Sequence, residues 1–338
     1  MTIDRTSQPQ RPILPTLAAK PYGCGFTNGV IAMKAAFLER TGGPDALQYG
    51  DLPDPKPGPG DILVDIAAAS VNGADWKVRR GEYAALKFPY VLGRDFSGTV
   101  SALGEGVTDF KVGDPVFGVL PPGQEGTYAE KLTVKAAVIA NKPDSLSHVN
   151  ATALALIGLT ALNSVEDTLK LKAGETILVQ GGAGGVASYA IQLAKHIGAK
   201  VITTTSTANV DYVRSLGADQ VIDYNKEDFT RIGQVCDAVF ETVGGDVAMK
   251  SYAVLKPGGR AAFIASGGKA PEAPRGDVQG LRPPVPRTRA AMERVAQLFA
   301  SGAVRAPEIK LYKLSQAADA HRVSEGRHFR GKLVFEVR

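Results

Sequence analysis

Cysteine and histidine are scarce in this chain of 338 residues, which holds two cysteines (Cys24 and Cys236) and four histidines. Two cysteines in separate segments cannot form a disulfide framework, and they suit a reducing compartment such as the cytosol. Residues 33–147 contain neither residue type. A catalytic zinc ion needs three protein ligands drawn from cysteine, histidine and carboxylate side chains. We therefore predict that no metal is bound, and that His148, His196, His321 and His328 lie at the surface.

Long apolar runs and concentrated charge are also missing. No apolar run approaches the ~20 residues of a transmembrane helix, so we predict no membrane partner. The net charge of +5 comes from dispersed residues, and aromatic residues make up only 7% of the chain, which disfavours a nucleic-acid partner. Hydrophobic residues at 44% and charged residues at 22% are typical of a soluble globular protein with room for two domains.

Glycine, in contrast, is concentrated between two ordered segments, in the stretch ILVQGGAGGVASYAIQLAKHIGAKVITTTS that starts at Ile177. The apolar run before the glycines predicts a buried strand, and apolar residues at spacings of three and four after them predict a helix. Gly182, Gly184 and Ala187 match the pattern G-x-G-x-x-G/A, in which small residues allow a tight turn and close approach of a pyrophosphate. The strand and helix on either side are the context that such a motif requires, so we predict a dinucleotide site here.

The distribution of these signals predicts an α/β protein with two domains. Residues 1–32 show no clear periodicity and are predicted to be a disordered extension. Short strands separated by glycine and proline follow, and they predict a β-rich catalytic domain over 33–155 that residues 303–338 complete. Strands and helices then alternate, which predicts a doubly wound parallel sheet over 156–302.

Individual elements can be predicted within this second region. Strands are expected at 176–180, 200–205, 219–223, 236–241 and 260–265, a loop at 267–288 and a helix over 288–300. The final stretch GKLVFEV is predicted to be a strand that returns to the first domain.

The order of several motifs resembles one known family, the zinc-free quinone oxidoreductase and enone reductase branch of the medium-chain dehydrogenase/reductase superfamily, which includes zeta-crystallin. The matching stretches are SVNGADWKVRRG (70–81), PYVLGRDFSG (89–98), VGDPVFG (112–118), GLTAL (158–162), GGAGGVASYAIQLA (181–194), LGADQVIDY (216–224), VLKPGGR (254–260) and GKLVF (331–335). The resemblance implies a GroES-like catalytic domain, a Rossmann domain that binds NADPH, and a homodimer in which edge strands of the two cofactor domains pair.

The resemblance also implies which residues face the nicotinamide. These are Asn72, Asp75 and Lys77, with Lys77 placed to stabilise an enolate and Asn72 to hold the substrate or the nicotinamide amide. Zinc-binding relatives have Gly-His-Glu where this chain reads Gly93-Arg94-Asp95. A substrate that accepts hydride without a Lewis acid is therefore expected, and quinones and α,β-unsaturated carbonyl compounds meet this condition.

The stretch TTTSTAN from Thr203 to Asn209 addresses the choice between NADPH and NADH. An acidic residue about 20 residues past the glycines would bind the ribose 2′-OH of NAD and repel a 2′-phosphate, and none stands before Asp211. We therefore predict NADPH, with a modest preference because Asn209 replaces a lysine that NADPH-using relatives often have. The full set of predicted cofactor-binding residues is Gly182, Ala183, Gly184, Gly185, Val186, Thr205, Ser206, Thr207, Asn209, Tyr224, Thr242, Val243, Ala265, Ser266 and Arg327.

The sequence thus predicts a cytoplasmic, zinc-independent, NADPH-dependent reductase of quinones or activated alkenes. Two alternatives stay open. The same scaffold can reduce enoyl thioesters, or it can bind a nucleotide or RNA without turnover.

Overall fold

The computed structural model describes residues 32–83, 85–121 and 123–338. Apart from Ala32, the predicted extension over 1–32 lies outside the described residues.

The first half of the described chain is rich in antiparallel strands. They are β1 (Ala32–Leu38), β2 (Leu47–Pro53), β3 (Asp61–Val71), β4 (Tyr90–Val91), β5 (Asp95–Leu103), β6 (Pro115–Val119), β7 (Lys131–Lys135) and β8 (Ile139–Asn141). β3 alternates as predicted, with Ile62, Val64 and Ile66 fully buried in the core of this region. β1 lies between β2 and β4 in a small sheet, whereas β3 pairs with β5 and β7 in a larger one.

The second half contains a sheet in which all neighbouring strands are parallel. Its strands are β9 (Thr176–Val179), β10 (Lys200–Thr205), β11 (Gln220–Asp223), β12 (Cys236–Glu241), β13 (Leu255–Phe263) and β14 (Gln279–Leu281). The order β11-β10-β9-β12-β13-β14 is that of the Rossmann fold, and the order reverses between β9 and β12. The predicted doubly wound sheet is confirmed. The segment 267–288 is not wholly a loop, because β14 lies within it and pairs with β13.

Two later strands join the larger antiparallel sheet. β15 (Ile309–Lys313) pairs in parallel with β16 (Lys332–Glu336), and β16 pairs antiparallel with β3. The complete order of this sheet is β15-β16-β3-β5-β6-β8, with β7 also on β3. The predicted strand GKLVFEV is therefore present, and it connects the end of the described chain to β3.

Seven named helices cover these sheets in the described part of the chain. They are α1 (Asp75–Arg79), α2 (His148–Leu162), α3 (Gly185–Ile197), α4 (Val210–Ser215), α5 (Asp246–Lys250), α6 (Arg289–Ala300) and α7 (Ala317–Gly326). The predicted helix over 288–300 is confirmed as α6, which begins where the Thr288 side chain accepts a hydrogen bond from the Ala291 N–H. α3 ends at Gly198, whose φ of +92° favours glycine.

Helix α2 and its π-helical continuation to Thr168 form the most apolar helical stretch. By length and composition His148–Thr168 could cross a membrane, but 72% of its most apolar 18-residue stretch is buried inside the fold. α2 packs against α3, α6 and strands β3, β5, β6 and β16. A helix that is apolar on all sides and surrounded by other elements is a core helix.

The surface prediction is wrong for His321, and His148 is only half-exposed, with its Nδ1 2.8 Å from Oγ of the buried Ser97. His321, on α7, is fully buried rather than exposed, and its ring nitrogens lie within hydrogen-bonding distance of Arg79 and Tyr128. Both ring nitrogens of this buried imidazole have polar partners, so its burial leaves no hydrogen-bonding group unsatisfied and costs little free energy.

Candidate active site

The glycine loop between β9 and α3 leaves space at the carboxyl end of β9. A Cβ at Gly182 would lie 2.3 Å from Thr203 Oγ1, so only glycine permits this close packing of turn and strand. At Gly184 such an atom would meet only the Gly181 carbonyl oxygen, at 3.4 Å. The loop therefore packs tightly against β10 at Gly182 and leaves open space at Gly184, as a pyrophosphate requires. The residues present fit a dinucleotide.

The other predicted cofactor residues, with one exception, follow the same parallel strands. The loop and the start of α3 contain Ala183, Gly185 and Val186, and the end of β10 and the turn after it contain Thr205, Ser206, Thr207 and Asn209. The end of β11 is followed by Tyr224, that of β12 by Thr242 and Val243, and that of β13 by Ala265 and Ser266. Carboxyl ends of parallel strands share one edge of the sheet, and ligands bind there beside the point where strand order reverses. The predicted set is therefore brought together on one edge.

The two hydroxyl groups predicted to receive a 2′-phosphate differ in their bonding. Thr207 donates its hydroxyl hydrogen to Asp223 Oδ2 at 2.7 Å, so that hydrogen is already used. Ser206 Oγ accepts a hydrogen bond from Asn209 Nδ2 at 3.0 Å, and it donates to no atom of the described residues. Ser206 is thus the hydroxyl that can donate to a phosphate, and Asn209 fixes its position.

Arg327 is the exception, because it lies beside α1. Its guanidinium lies over the Trp76 ring at 5.6 Å, where Lys77 Nζ (5.6 Å) and Arg80 (5.2 Å) also lie. The nearby Arg330 lies instead over the ring of Tyr212 on α4, 5.0 Å from its centroid. α4 begins four residues after Ser206, and Arg330 also forms an ion pair with Glu308 at 2.5 Å.

Lys77 is half-buried on α1, and its ammonium nitrogen lies 5.6 Å from the centre of the Trp76 ring. Within the described residues its ammonium group makes no ion pair and no hydrogen bond. The ammonium is therefore free to interact with charge on a bound molecule.

Asn72 is held at both ends of its carboxamide. Its Nδ2 donates to Asp95 Oδ1 at 2.8 Å, and its Oδ1 accepts from Lys332 Nζ at 2.7 Å. Asp95 accepts a second hydrogen bond from Ser70 Oγ at 2.8 Å. The carboxamide is therefore fixed in one orientation by two buried side chains, those of Asp95 and Lys332.

Lys332 connects this cluster to the glycine loop. Its ammonium is buried, donates to the Val71 carbonyl oxygen at 2.9 Å, and lies 3.8 Å from Asp95. The preceding Gly331 donates its N–H to the carbonyl oxygen of Ala183 in the glycine loop, at 3.1 Å. One dipeptide thus contacts both the dinucleotide loop and Asn72. Burial lowers the pKa of Lys332, and the charge of Asp95 partly offsets this effect.

Asp75 is fully buried and belongs to a directional chain of hydrogen bonds. Arg79 can only donate, so His321 Nδ1 accepts from it and the ring proton is on Nε2. That N–H donates to Tyr128 Oη at 3.2 Å, and the Tyr128 hydroxyl donates to Asp75 Oδ2 at 2.8 Å. Burial, reinforced by the charge of Arg79, lowers the pKa of His321 to about 3, so the ring is neutral. The chain orients Asp75, which also accepts from the N–H of Asn72 at 2.9 Å.

Arg94 lies between two carboxylates. Its Nε and Nη2 donate to Glu125 Oε1 at 3.0 and 2.8 Å, and its Nε lies 3.6 Å from Asp75 Oδ1. Burial and the charge of Asp75 raise the pKa of Glu125 to about 7, although Arg94 opposes the shift. Glu125 therefore changes its protonation near neutral pH.

No metal-binding cluster occurs in the residues that the structure describes: nowhere in them do three or more histidine, cysteine, aspartate or glutamate side chains form a group that could hold an ion. The polar cluster around Asp75 and Asp95 contains the side chains of Asn72 and Arg94, and neither residue type is a usual zinc ligand.

The sequence predicted only part of the polar cluster around Asn72 and Asp75. Arg94, Asp95 and Lys332 lie in motifs quoted for the resemblance, but nothing assigned a role to Lys332. Glu125, Tyr128 and His321 were missed, since no local spacing connects them: Tyr128 and His321 are 193 residues apart.

A Rossmann sheet with an open glycine loop, joined by a shared dipeptide to a buried polar cluster, defines a dinucleotide-binding protein of the dehydrogenase type. Residues 58–144 match the family described as alcohol dehydrogenase GroES-like domain, and residues 216–335 match the family described as zinc-binding dehydrogenase. The predicted fold class is confirmed in both of its parts.

Individual proteins give the same result. The chain is 33% identical over 316 residues to an NADPH-dependent alkenal/one oxidoreductase, chloroplastic, of Arabidopsis thaliana, a match that covers 89% of this chain and 79% of the relative. The quinone oxidoreductase structure from Coxiella burnetii has a TM-score of 0.82 at 34% identity, covering 91% of this chain and all of that one. The Escherichia coli quinone oxidoreductase complexed with NADPH has a TM-score of 0.82 at 28% identity, covering 90% and 100%. The chain belongs to the quinone oxidoreductase and enone reductase branch of the medium-chain dehydrogenase/reductase superfamily.

Proposed function

We propose that this protein is an NADPH-dependent reductase that delivers hydride to a quinone or an α,β-unsaturated carbonyl compound. The single observation that carries the proposal is the dipeptide Gly331-Lys332, which contacts the glycine loop through Ala183 and Asn72 through the lysine ammonium. A dinucleotide on the loop would therefore extend toward Asn72. The named activities of the alkenal/one and quinone relatives support the same reaction.

Different residues of the chain would bind the cofactor, stabilise charge and position the reacting groups. NADPH, when bound, supplies the hydride. Gly182 and Gly184 admit the pyrophosphate, and Ser206 donates to the 2′-phosphate. Lys77, whose ammonium has no anion partner in the described residues, stabilises the negative charge that hydride leaves on the substrate oxygen. Asn72 positions the reacting groups because its carboxamide is held by Asp95 and Lys332.

The proposal includes a cytosolic location and a homodimer. β14 is an edge strand of the parallel sheet, so its outer side is available to pair with a second copy. The two-cysteine composition suits a reducing compartment, although the Arabidopsis relative is described as chloroplastic. Sedimentation of the purified protein would test the dimer directly.

A substrate panel followed at 340 nm tests the activity. We expect steady NADPH oxidation with 1,4-benzoquinone and with a 2-alkenal. A much higher rate with an enoyl-CoA would replace the proposal with enoyl-thioester reduction. NADPH binding without oxidation by any acceptor would favour a nucleotide- or RNA-binding protein without turnover.

A further inference from the structure

Reduction of an activated alkene needs a proton as well as a hydride, and the site contains a group suited to supply it. This inference rests on the proposed function. Hydride at the β-carbon of an enone leaves an enolate, and the product forms only when the α-carbon receives a proton. A donor must be an acid that keeps its proton near neutral pH and lies at the active site.

Glu125 has the geometry of such an acid. Its side chain is 5% exposed, and both of its hydrogen bonds from Arg94 are made to Oε1. The other oxygen, Oε2, is buried and has no hydrogen-bond partner among the described residues. A proton on this carboxyl group therefore lies on Oε2, where no protein acceptor competes for it.

The charges around Glu125 explain why it keeps a proton. One guanidinium, that of Arg94, faces two buried carboxylates, so full ionisation would leave an excess negative charge away from water. Burial raises the pKa of Asp75 as well, but its hydrogen bonds from the Asn72 N–H and the Tyr128 hydroxyl oppose that shift. Glu125 receives hydrogen bonds from Arg94 alone, so fewer donors oppose protonation of its carboxyl group.

The remaining group that faces Glu125 is Tyr90 on β4. Burial, and then the charge of Glu125, raises the pKa of Tyr90 to about 12, so it stays neutral. The groups around Glu125 are thus one cation, one buried carboxyl group that shares this cation, and one neutral phenol. This agrees with the shift of the Glu125 pKa to about 7, caused by burial and Asp75 and opposed by Arg94.

The same cluster borders the residue assigned to the nicotinamide. Asp75, which shares Arg94 with Glu125, accepts from the backbone of Asn72 at 2.9 Å. Asp95, the residue after Arg94, accepts from the Asn72 carboxamide at 2.8 Å. The pair formed by Arg94 and Glu125 is therefore connected to Asn72 through Asp75 and through the peptide bond between Arg94 and Asp95.

We propose that Glu125 is the proton donor of the reaction. The O–H bond at Oε2 breaks and a C–H bond forms at the α-carbon of the enolate, whose carbon–carbon double bond supplies the electron pair. NADPH supplies the hydride and its two electrons, and the carboxylate left on Glu125 is stabilised by Arg94. Water returns a proton to Glu125 after the product leaves.

The stereochemistry of the product tests this role. With 2-methyl-2-cyclohexenone the α-carbon becomes a stereocentre, so a donor fixed on one face yields one enantiomer of 2-methylcyclohexanone. Glu125→Gln keeps an oxygen for Arg94 but has no acidic proton. We expect its kcat to fall about 100-fold and its product to approach a racemate, since protonation then comes from water. Glu125→Asp should restore the enantiomeric excess in part. Glu130→Gln, which alters a carboxylate that accepts from the Lys34 N–H, is the matched control and should resemble wild type.

The pH profile gives a second, independent readout. The protonated form of Glu125 is the active one, so the kcat of the wild type should be constant below pH 7 and fall about tenfold per pH unit above it. Glu125→Gln should lose this decline.

A racemic product from wild type, or an unchanged rate and enantiomeric excess in Glu125→Gln, would overturn the assignment while leaving the reductase activity intact. If Glu125→Gln does not bind NADPH, the wild-type profile decides, and a kcat that does not change between about pH 6 and pH 8.5 overturns the proposal. Failure of wild type to oxidise NADPH with any acceptor removes the proposed function, and this assignment with it.

Discussion

Replacement of Lys332 by methionine removes the charge that joins the glycine loop to Asn72. Methionine has nearly the length of lysine without its ammonium, so packing is retained and the polar contacts are lost. These contacts are the hydrogen bonds to the Val71 carbonyl oxygen (2.9 Å) and Asn72 Oδ1 (2.7 Å), and the ion pair with Asp95 (3.8 Å).

The size of the effect follows from burial. Loss of one partner of a buried ion pair costs about 3–5 kcal/mol, because the remaining charge is left without compensation. Asp95 keeps the donors Ser70 and Asn72, so we expect the free energy of unfolding to fall by about 3 kcal/mol, the lower end of that range. The Asn72 carboxamide keeps its bond to Asp95 but loses the donor at Oδ1, and we expect this looser hold to lower kcat/KM about 100-fold, as a misplaced positioning group does.

Urea unfolding followed by the fluorescence of Trp76, the only tryptophan, measures the first quantity. The matched control is Lys313→Met on the neighbouring β15. Lys313 pairs with Glu336 at 2.6 Å, but both side chains are exposed, and such pairs contribute at most about 1 kcal/mol. The reasoning would be refuted if Lys332→Met and Lys313→Met had the same stability and the same kcat/KM.

Three further predictions follow from the site. Activity should survive exhaustive EDTA treatment with well under one zinc ion per chain by elemental analysis, whereas stoichiometric zinc that is lost together with activity would contradict zinc-free catalysis. Lys77→Ala should lower kcat more than it weakens NADPH binding, because the charge it meets develops in the transition state, and an unchanged kcat would return Lys77 to a surface role. Wild type should show a higher kcat/KM with NADPH than with NADH, and Ser206→Asp should shift the ratio toward NADH. A wild-type preference for NADH would overturn the assignment of Ser206.

The parts of the fold that the sequence predicted are those with local signals. The glycine loop, the strands on both sides of it and helix α6 are each specified by residues within a few positions of one another. β14 was missed because three residues between glycines and prolines carry no period, and the strand exists through its pairing with β13.

The polar cluster could not be predicted for a related reason. Lys332 and Asn72 are 260 residues apart, and no spacing along the chain connects them. His321 was assigned to the surface because a histidine on a short helix usually lies there. Its burial depends on Arg79 and Tyr128, which satisfy both ring nitrogens from distant segments.

The pairing of β16 with β3 fixes an order of assembly on the ribosome. The parallel sheet is formed by six strands that follow one another in the chain, so it can assemble as soon as they are synthesised. β3 must wait for a partner that is made about 260 residues later, as the 261-residue separation of Val71 and Lys332 shows. Until then residues 68–71 on one edge of β3 are unpaired, whereas residues 61–65 pair with β7, and an open strand edge favours pairing with other chains. Because Lys332 arrives with β16, the nascent protein gains its anchored Asn72 only in the last step of this assembly, after the dinucleotide site has already formed.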